Sequence, residues 1–460
     1  MSNTNDKIKM RLKKHFREHP FSPVQKIIFS FFCVISVGTL LLMLPIASTK
    51  APLNFLTSLF TATSATCVTG LTLIDPFLDL TLFGQIVLAL LIELGGLGFL
   101  SFVSFFMFSM NKKAGLHSLQ LAQEAMSSVD FKGTKQLFRT VFATSTAIQS
   151  VGAILLAIRF VPAKGLYGVW VSIFTSVSAY CNAGFDLMGF EGRGSSMVHY
   201  NNDPLVLYTI MFLIIFGGLG FIVFQDFMNF HKNHHLLLHT RTVVAVTFSL
   251  ITLGAAFMFI LEYNNPNTIG NFTLGEKINA ALFQSVVSRT AGFCSIDVGN
   301  MYDTSKFIYM MLMFIGAGSG STGGGIKVTT FSVLVATVIS VIKGRDNVTV
   351  FGRIVNKETV YKSIAIAFLA MLVVLTCAGV ILICNPGLAG IDGIFEAVSA
   401  FGTVGSSAGV TALIGTPEKI AIILTMFIGR VGPISFVLAV TMKTHMQKNI
   451  ILPEGKIMVG

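Results

Sequence analysis

Four stretches of the 460-residue chain end in a glycine and resemble one another: FTATSATCVTG, FTSVSAYCNAG, FQSVVSRTAG and FEAVSAFGTVG, starting at Phe60, Phe174, Phe283 and Phe395. Their last glycines, Gly70, Gly184, Gly292 and Gly405, are 114, 108 and 113 residues apart, close to a quarter of the chain. A repeat at that period points to four copies of one structural unit. The closing triplets Val68-Thr69-Gly70, Asn182-Ala183-Gly184, Thr290-Ala291-Gly292 and Thr403-Val404-Gly405 are small and uncharged. Such triplets offer backbone carbonyls beside a glycine free to take φ > 0. A ring of carbonyls is how a dehydrated alkali cation is held. No Asp or Glu lies in any triplet, which favours a monovalent cation over a divalent ion or a proton path. Taken singly, each glycine is also explained by close helix packing; four in register carry the cation reading. The third copy is one residue shorter, which leaves the register of its short helix open.

A second cluster is the run GAGSGSTGGGIK, Gly316 to Lys327, set in the middle of an apolar segment. Its glycines make it the poorest helix former in the chain, so the segment is expected to break there into an intramembrane loop. A phosphate-binding loop is excluded, because that motif needs Lys directly after Gly and then Ser or Thr, whereas Gly325-Ile326-Lys327-Val328 stands here. Arg430, in FIGRVGP, is a cation inside a late apolar run. A charge at that depth either faces a functional cavity or is satisfied by bridging helix breaks, and both readings stand. Glu93, in LIELGGLGF, is the one acid deep in an apolar run, as a packing partner or a cation relay. The GGLG runs at 95–98 and 217–220 suit a bend or close packing. His231, His235 and His239 have i, i+4 spacing, compatible with a solvated face or a metal. Six Cys without a CxxC pair suggest neither a disulfide framework nor a zinc site.

The elements that position these residues follow from composition. The chain is 53% hydrophobic and 12% charged, with a mean hydropathy of +0.76, so it cannot cover a soluble surface. Its apolar stretches are continuous runs, which excludes a transmembrane β-barrel. Runs near 25–45, 82–108, 138–161, 204–228, 242–262, 305–342, 361–384 and 418–442 suit eight spans of about 20 residues each. The stretches Asn54 to Thr69, Gly168 to Ala183, Lys277 to Ala291 and Ile391 to Val404 lie between paired spans and are too short to cross. The expected fold is an all-α membrane protein of four pseudo-repeats, each a span, a short pore helix, a re-entrant loop and a span. The repeats cover 23–110, 137–228, 241–342 and 361–442, with inner segments at 1–22, 111–136, 229–240, 343–360 and 443–460. Those inner segments and their margins hold 22 Lys and Arg and the opposite side holds six, which puts both termini in the cytoplasm. The net charge of +11 is spread between apolar runs, so no nucleic-acid surface is implied. Acidic residues such as Asp75, Asp79, Asp186 and Asp203 lean to the outer side, as solvated loop charges or as a cation-concentrating vestibule. Nothing in the motifs supports an enzyme.

On its four single-glycine loops, its length and the GAGSGSTGGGIK run, nearly the whole chain resembles the Trk/Ktr/HKT superfamily of potassium transporters, and within it the bacterial Ktr membrane subunits (KtrB/KtrD type). The resemblance implies that the four triplets form a potassium selectivity filter. It also implies that Gly316, Gly318, Ser319, Gly320, Ser321, Thr322, Gly323, Gly324 and Gly325 form a gate, with Arg430 beneath the filter. It further implies a homodimer in a bacterial cell membrane, activation by sodium, potassium as the substrate, and docking of a cytosolic nucleotide-binding ring (KtrA/KtrC type). The competing reading is a sodium-coupled transporter of a small organic solute, which would show two inverted repeats rather than four parallel ones.

Overall fold

The computed structural model describes residues 23–98 and 134–441. The expected tails 1–22 and 443–460, and the inner loop 111–136 up to residue 133, lie outside the described residues. The first repeat holds α1 (Pro23–Met43), α2 (Phe55–Thr66) and α3 (Leu82–Leu97). The second holds α4 (Thr134–Lys164), α5 (Leu166–Cys181) and α6 (Pro204–Leu219), followed by α7 (Phe221–Asn233). The third holds α8 (Leu238–Glu262), α9 (Leu274–Val287), α10 (Asp303–Phe314) and α11 (Val328–Ile342). A two-stranded hairpin, β1 (Thr349–Val350) with β2 (Arg353–Ile354), leads into the fourth: α12 (Lys357–Cys384), α13 (Gly390–Gly402), α14 (Thr416–Val431) and α15 (Pro433–Thr441).

Long apolar sequence makes α4, α8 and α12 helices. Val141–Lys164, Leu238–Glu262 and Lys357–Cys384 are each long and apolar enough to cross a membrane. Their outward faces carry exposed Ile154, Ile260, Phe368 and Leu375, which suits contact with acyl chains. The short helices α2, α5, α9 and α13 follow the repeated stretches. Their repeated Phe60, Phe174, Phe283 and Phe395 are at most 1% exposed. Two of the four begin with side-chain caps. Asn54 Oδ1 accepts from Thr57 N (2.8 Å), and Thr273 with Glu276 closes a capping box.

The second helices stop where the GGLG runs within 82–108 and 204–228 suit a bend, and the run 418–442, expected as one span, breaks as well. α3, α6 and α14 each stop at a glycine, Gly98, Gly220 and Gly432, with φ of 81°, 94° and 94°. After Gly220 the chain turns by 91° into α7. Space as well as φ demands glycine at this corner, since a Cβ on Gly220 would lie 2.6 Å from Ser319 O. The 305–342 segment breaks as expected, into α10, an irregular 315–327 stretch and α11. The expected inner loop 343–360 contains the hairpin, turned at Phe351 and Gly352, both with positive φ as a two-residue hairpin turn requires.

Side-chain bonds join each second helix to the next repeat's short helix. Gln85 of α3 accepts from Trp170 Nε1 (2.9 Å) and Tyr167 OH (3.1 Å) of α5. Tyr208 of α6 donates to Asn279 of α9 (2.9 Å), and Lys306 of α10 pairs with Asp392 of α13 (2.8 Å). α14 packs on α2, which closes the circle. Gln85→Leu removes the acceptor of two aromatic donors and should destabilise the fold by about 1–3 kcal/mol. Thermal unfolding in detergent checks this, and unchanged stability would mean that Trp170 finds another acceptor.

Candidate functional site

The four triplets come together at the ends of the short helices. Val68, Asn182, Thr290 and Thr403 all take positive φ, of 58°, 59°, 74° and 50°, and each triplet's glycine does so as well. Positive φ in Val and Thr is uncommon, and the surrounding bonds impose it. Thr69 N donates to Ser64 O, Ala183 N to Ser178 O and Val404 N to Ser399 O, at 2.8, 2.8 and 2.9 Å, each reaching back five residues. In the third loop Ala291 N donates to Val287 O (3.0 Å), four residues back. The missing residue of the third copy therefore falls in this turn, and the triplet keeps its register. Ser64 Oγ and Ser399 Oγ further accept from Gly70 N and Gly405 N, each at 3.1 Å.

Each glycine lies against the next loop's backbone. A Cβ on Gly70 would stand 2.6 Å from Ala183 O, and one on Gly184 would stand 2.6 Å from Ala291 O. The same built atom on Gly292 meets Val404 O, and on Gly405 it meets Thr69 O, closer still. The order is cyclic and returns to its start. Four loops thus form a closed ring in which backbone carbonyl touches backbone Cα, with no room for a side chain at any glycine. Glycines of the second helices support it from behind: Gly95 presses on Thr66 O, Gly217 on Tyr180 O and Gly429 on Phe401 O.

The 315–327 stretch lies against these loops. Gly324 N donates to Thr403 Oγ1 (3.0 Å), and Gly323 packs on Thr290 Oγ1. Thr322 Oγ1 donates to Tyr180 O (3.2 Å) and Thr322 N to Gly217 O (3.3 Å), while Gly318 N donates to Gly218 O (2.8 Å). Phe221 N, at the α6–α7 corner, donates to Gly320 O (3.0 Å). Ser319 and Thr329 hydroxyls share a bond of 2.8 Å, and Gly316 N donates to Ile326 O (2.8 Å). Gly325 N reaches Gly429 O (3.3 Å). Ser321 Oγ has no partner among the described residues. In the amide orientation that satisfies its neighbours, Asn182 donates to Ala179 O (3.1 Å) and Ile214 O (3.2 Å) and accepts from Thr290 Oγ1 (3.0 Å).

Arg430 joins three repeats. Its guanidinium donates to Thr322 O in the loop and to Gly95 O and Gly96 O at the end of α3. The two readings of this residue therefore coincide, since the carbonyls it satisfies are those of a helix break and of the glycine-rich loop. Carbonyls at a helix C-terminus attract a cation. Lys327, which the sequence reading left unassigned, donates from Nζ to Gly323 O (2.5 Å) and adds a second cation to the loop. Its place two residues after the glycine run was the available signal. Glu93 lies apart from Arg430's bonds. It accepts from Gln149 Nε2 (3.0 Å) and Cys181 Sγ (3.3 Å), so it packs α3 against α4 and α5. Arg289, another cation in an apolar segment, donates to Thr247 O (3.0 Å). No group of three or more His, Cys, Asp or Glu placed to hold a metal occurs among the described residues. Beyond the second loop, burial raises the Asp186 carboxyl to about 6 despite the N–H of Met188, and Asp75 nearby adds to the rise.

A ring of backbone carbonyls among apolar helices, crossed by a hydrogen-bonded loop, defines a membrane transporter rather than an enzyme. The chain matches the TrkH family, described as "Cation transport protein", over residues 10–451, and it belongs to that family. It is 39% identical to the Ktr system potassium uptake protein B of Bacillus subtilis, over 96% of this chain and 97% of that protein. It is 35% identical to the potassium/sodium uptake protein NtpJ of Enterococcus hirae, over 98% and 99%. The potassium transporter TrkH of Vibrio parahaemolyticus shares its fold, with a TM-score of 0.71 at 16% identity, covering 90% of this chain and 84% of that one.

If Arg430 ties the loop down, Arg430→Ala should raise amide hydrogen exchange across 316–327 by about tenfold, equivalent to about 1.4 kcal/mol. Exchange at the wild-type rate would show that the backbone bonds suffice. Arg430→Lys keeps the charge without the planar fork and should fall between the two.

Proposed function

We propose that the chain is the ion-conducting membrane subunit of a Ktr-type potassium uptake system. The observation that carries this reading is the cyclic contact of Gly70, Gly184, Gly292 and Gly405 with the carbonyls of Ala183, Ala291, Val404 and Thr69. Potassium is the substrate, and carbonyls of the triplets 68–70, 182–184, 290–292 and 403–405 replace part of its hydration shell. The printed functions of the Bacillus and Enterococcus relatives support potassium as the ion. Conduction runs down the electrochemical gradient, to which the membrane potential contributes about 2.3 kcal/mol per charge per 100 mV.

The loop Gly316 to Gly325 is the gate, with Arg430 as its latch. Hydrogen bonds from Gly324 and Thr322 to Thr403 and Tyr180 support that role, since they hold the loop against the ring. The four repeats 23–110, 137–228, 241–342 and 361–442 supply eight spans and four re-entrant loops in a bacterial cell membrane, with both termini cytoplasmic. The break at Gly220 makes the second repeat's second span bent rather than straight. The family reading adds a homodimer, activation by sodium, and docking of a KtrA/KtrC-type nucleotide-binding ring on the basic inner segments. No observation favours the organic-solute alternative.

Rubidium uptake into proteoliposomes of the purified chain, driven by a potassium gradient with sodium or lithium as competitor, tests the reading. Selective uptake is expected, and its absence in both the wild type and a variant lacking residues 318–322 would overturn it. Deleting 318–322 should raise flux without a partner subunit, and Arg430→Ala should leak in the same way. Serine at Gly70, Gly184, Gly292 or Gly405 should lower the preference for potassium over sodium by about tenfold, close to 1.4 kcal/mol. An unchanged preference in folded variants would remove the filter role.

A further inference from the structure

We infer that Glu396 is a positioning residue that sets the ion preference of the ring by anchoring the outer side of the fourth loop. This rests on the filter reading above and concerns a residue outside the triplets. Its position follows the repeated Phe, and the equivalent residues are Thr61, Thr175 and Gln284, all 0% exposed like Glu396. The four differ in what they hold. The hydroxyls of Thr61 and Thr175 and both amide atoms of Gln284 have no hydrogen-bond partner among the described residues. Glu396, in contrast, accepts from Ser407 Oγ (3.0 Å) and from Thr411 Oγ1. Ser407 Oγ lies 3.1 Å from Thr411 Oγ1 and accepts from Gly409 N (3.0 Å). The segment immediately outside Gly405 is thereby knotted to one buried carboxylate.

Two anchors on one helix then bracket the fourth triplet. Ser399, three residues after Glu396 and so on the same helix face, holds Gly405 N through its hydroxyl and Val404 N through its carbonyl. Glu396 holds residues 407 and 411 beyond the glycine. The helix itself is fixed: Lys306 pairs with Asp392, Tyr309 stacks on Phe395 with ring centroids 5.6 Å apart, and Tyr309 shares a 3.0 Å bond with Ser406 Oγ. Val404 O backs onto Gly292 and Gly405 onto Thr69 O, so a shift of the fourth loop reaches both neighbours. A carboxyl group offers two oxygens and can meet both hydroxyls at once. Such an anchor keeps the fourth side of the ring from drawing in around a smaller, sodium-sized ion. A buried carboxylate is costly where a threonine would pack, as repeats one and two show. The anchor gives that cost a purpose.

The test compares rubidium and sodium flux of the full chain in proteoliposomes for wild type, Glu396→Ala, Glu396→Gln and the double variant Ser407→Ala/Thr411→Val. Glu396→Ala should lose about tenfold in preference for rubidium over sodium, while Glu396→Gln, which still meets both hydroxyls, should stay within about threefold. The double variant cuts the same bonds from the loop side and should shift preference in the same direction as Glu396→Ala. A monodisperse Glu396→Ala protein with wild-type preference overturns the inference. If that variant does not fold, wild-type preference in the double variant overturns it instead. Absence of rubidium flux in wild type and in the 318–322 deletion is a different result, because it removes the filter reading itself.

Discussion

A peptide group inside a bilayer must find a partner, because no water is there to supply one. Everything distinctive in this molecule answers that constraint at places where the chain leaves helical geometry. The four triplets turn their N–H groups back onto their own helices, Thr69 onto Ser64 and Val404 onto Ser399, which frees carbonyls to face elsewhere. Each glycine gives up its side chain so that the neighbouring loop's backbone can approach. The long helices α4, α8 and α12 need no such devices. They present apolar residues outward and enclose the irregular parts.

The same constraint explains the 315–327 stretch. A segment so rich in glycine has weak helical preference, yet its amides are not left unpaired. Gly318 and Thr322 bond to the end of α6, Gly324 to Thr403, and Gly325 to Gly429 of α14. Its partners come from the second, third and fourth repeats, and Arg430 adds the first through Gly95 and Gly96. The loop is thus held by contacts at helix ends, where carbonyls are available, and not by a packed apolar core. Contacts of this kind can be exchanged without unfolding a helix.

Much of this was legible in the sequence. The fourfold period, the short helices within the stretches 54–69, 168–183, 277–291 and 391–404, and the break within 305–342 all follow from glycine placement and apolar run length. The bend at 217–220 was legible too, from GGLG. The end of α3 at Gly98 falls in the same motif, at 95–98, whereas the break at Gly432 was not separated from a continuous span, because an isolated glycine in an apolar run is compatible with a helix until tertiary contacts decide. Positive φ at Val68, Thr290 and Thr403 runs against residue preference and is imposed by bonds that only the folded loops make. Lys327 was left unassigned, since its bond to Gly323 depends on the fold of the loop that precedes it. The hairpin at 349–354 was hidden by its length of two residues per strand.

Arg430 occupies a place where the first two repeats show glycine. Gly95-Gly96-Leu97-Gly98 and Gly217-Gly218-Leu219-Gly220 correspond to Gly429-Arg430-Val431-Gly432, with Gly95, Gly217 and Gly429 each pressed on the end of a short helix. An assembly of four identical subunits would have to carry four arginines at that level or none. Four guanidinium groups converging on one axis would repel one another and fill the space around it. Linking the repeats in one polypeptide removes this stoichiometric restriction. One arginine in the fourth repeat and one long loop in the third can then meet without three further copies of either.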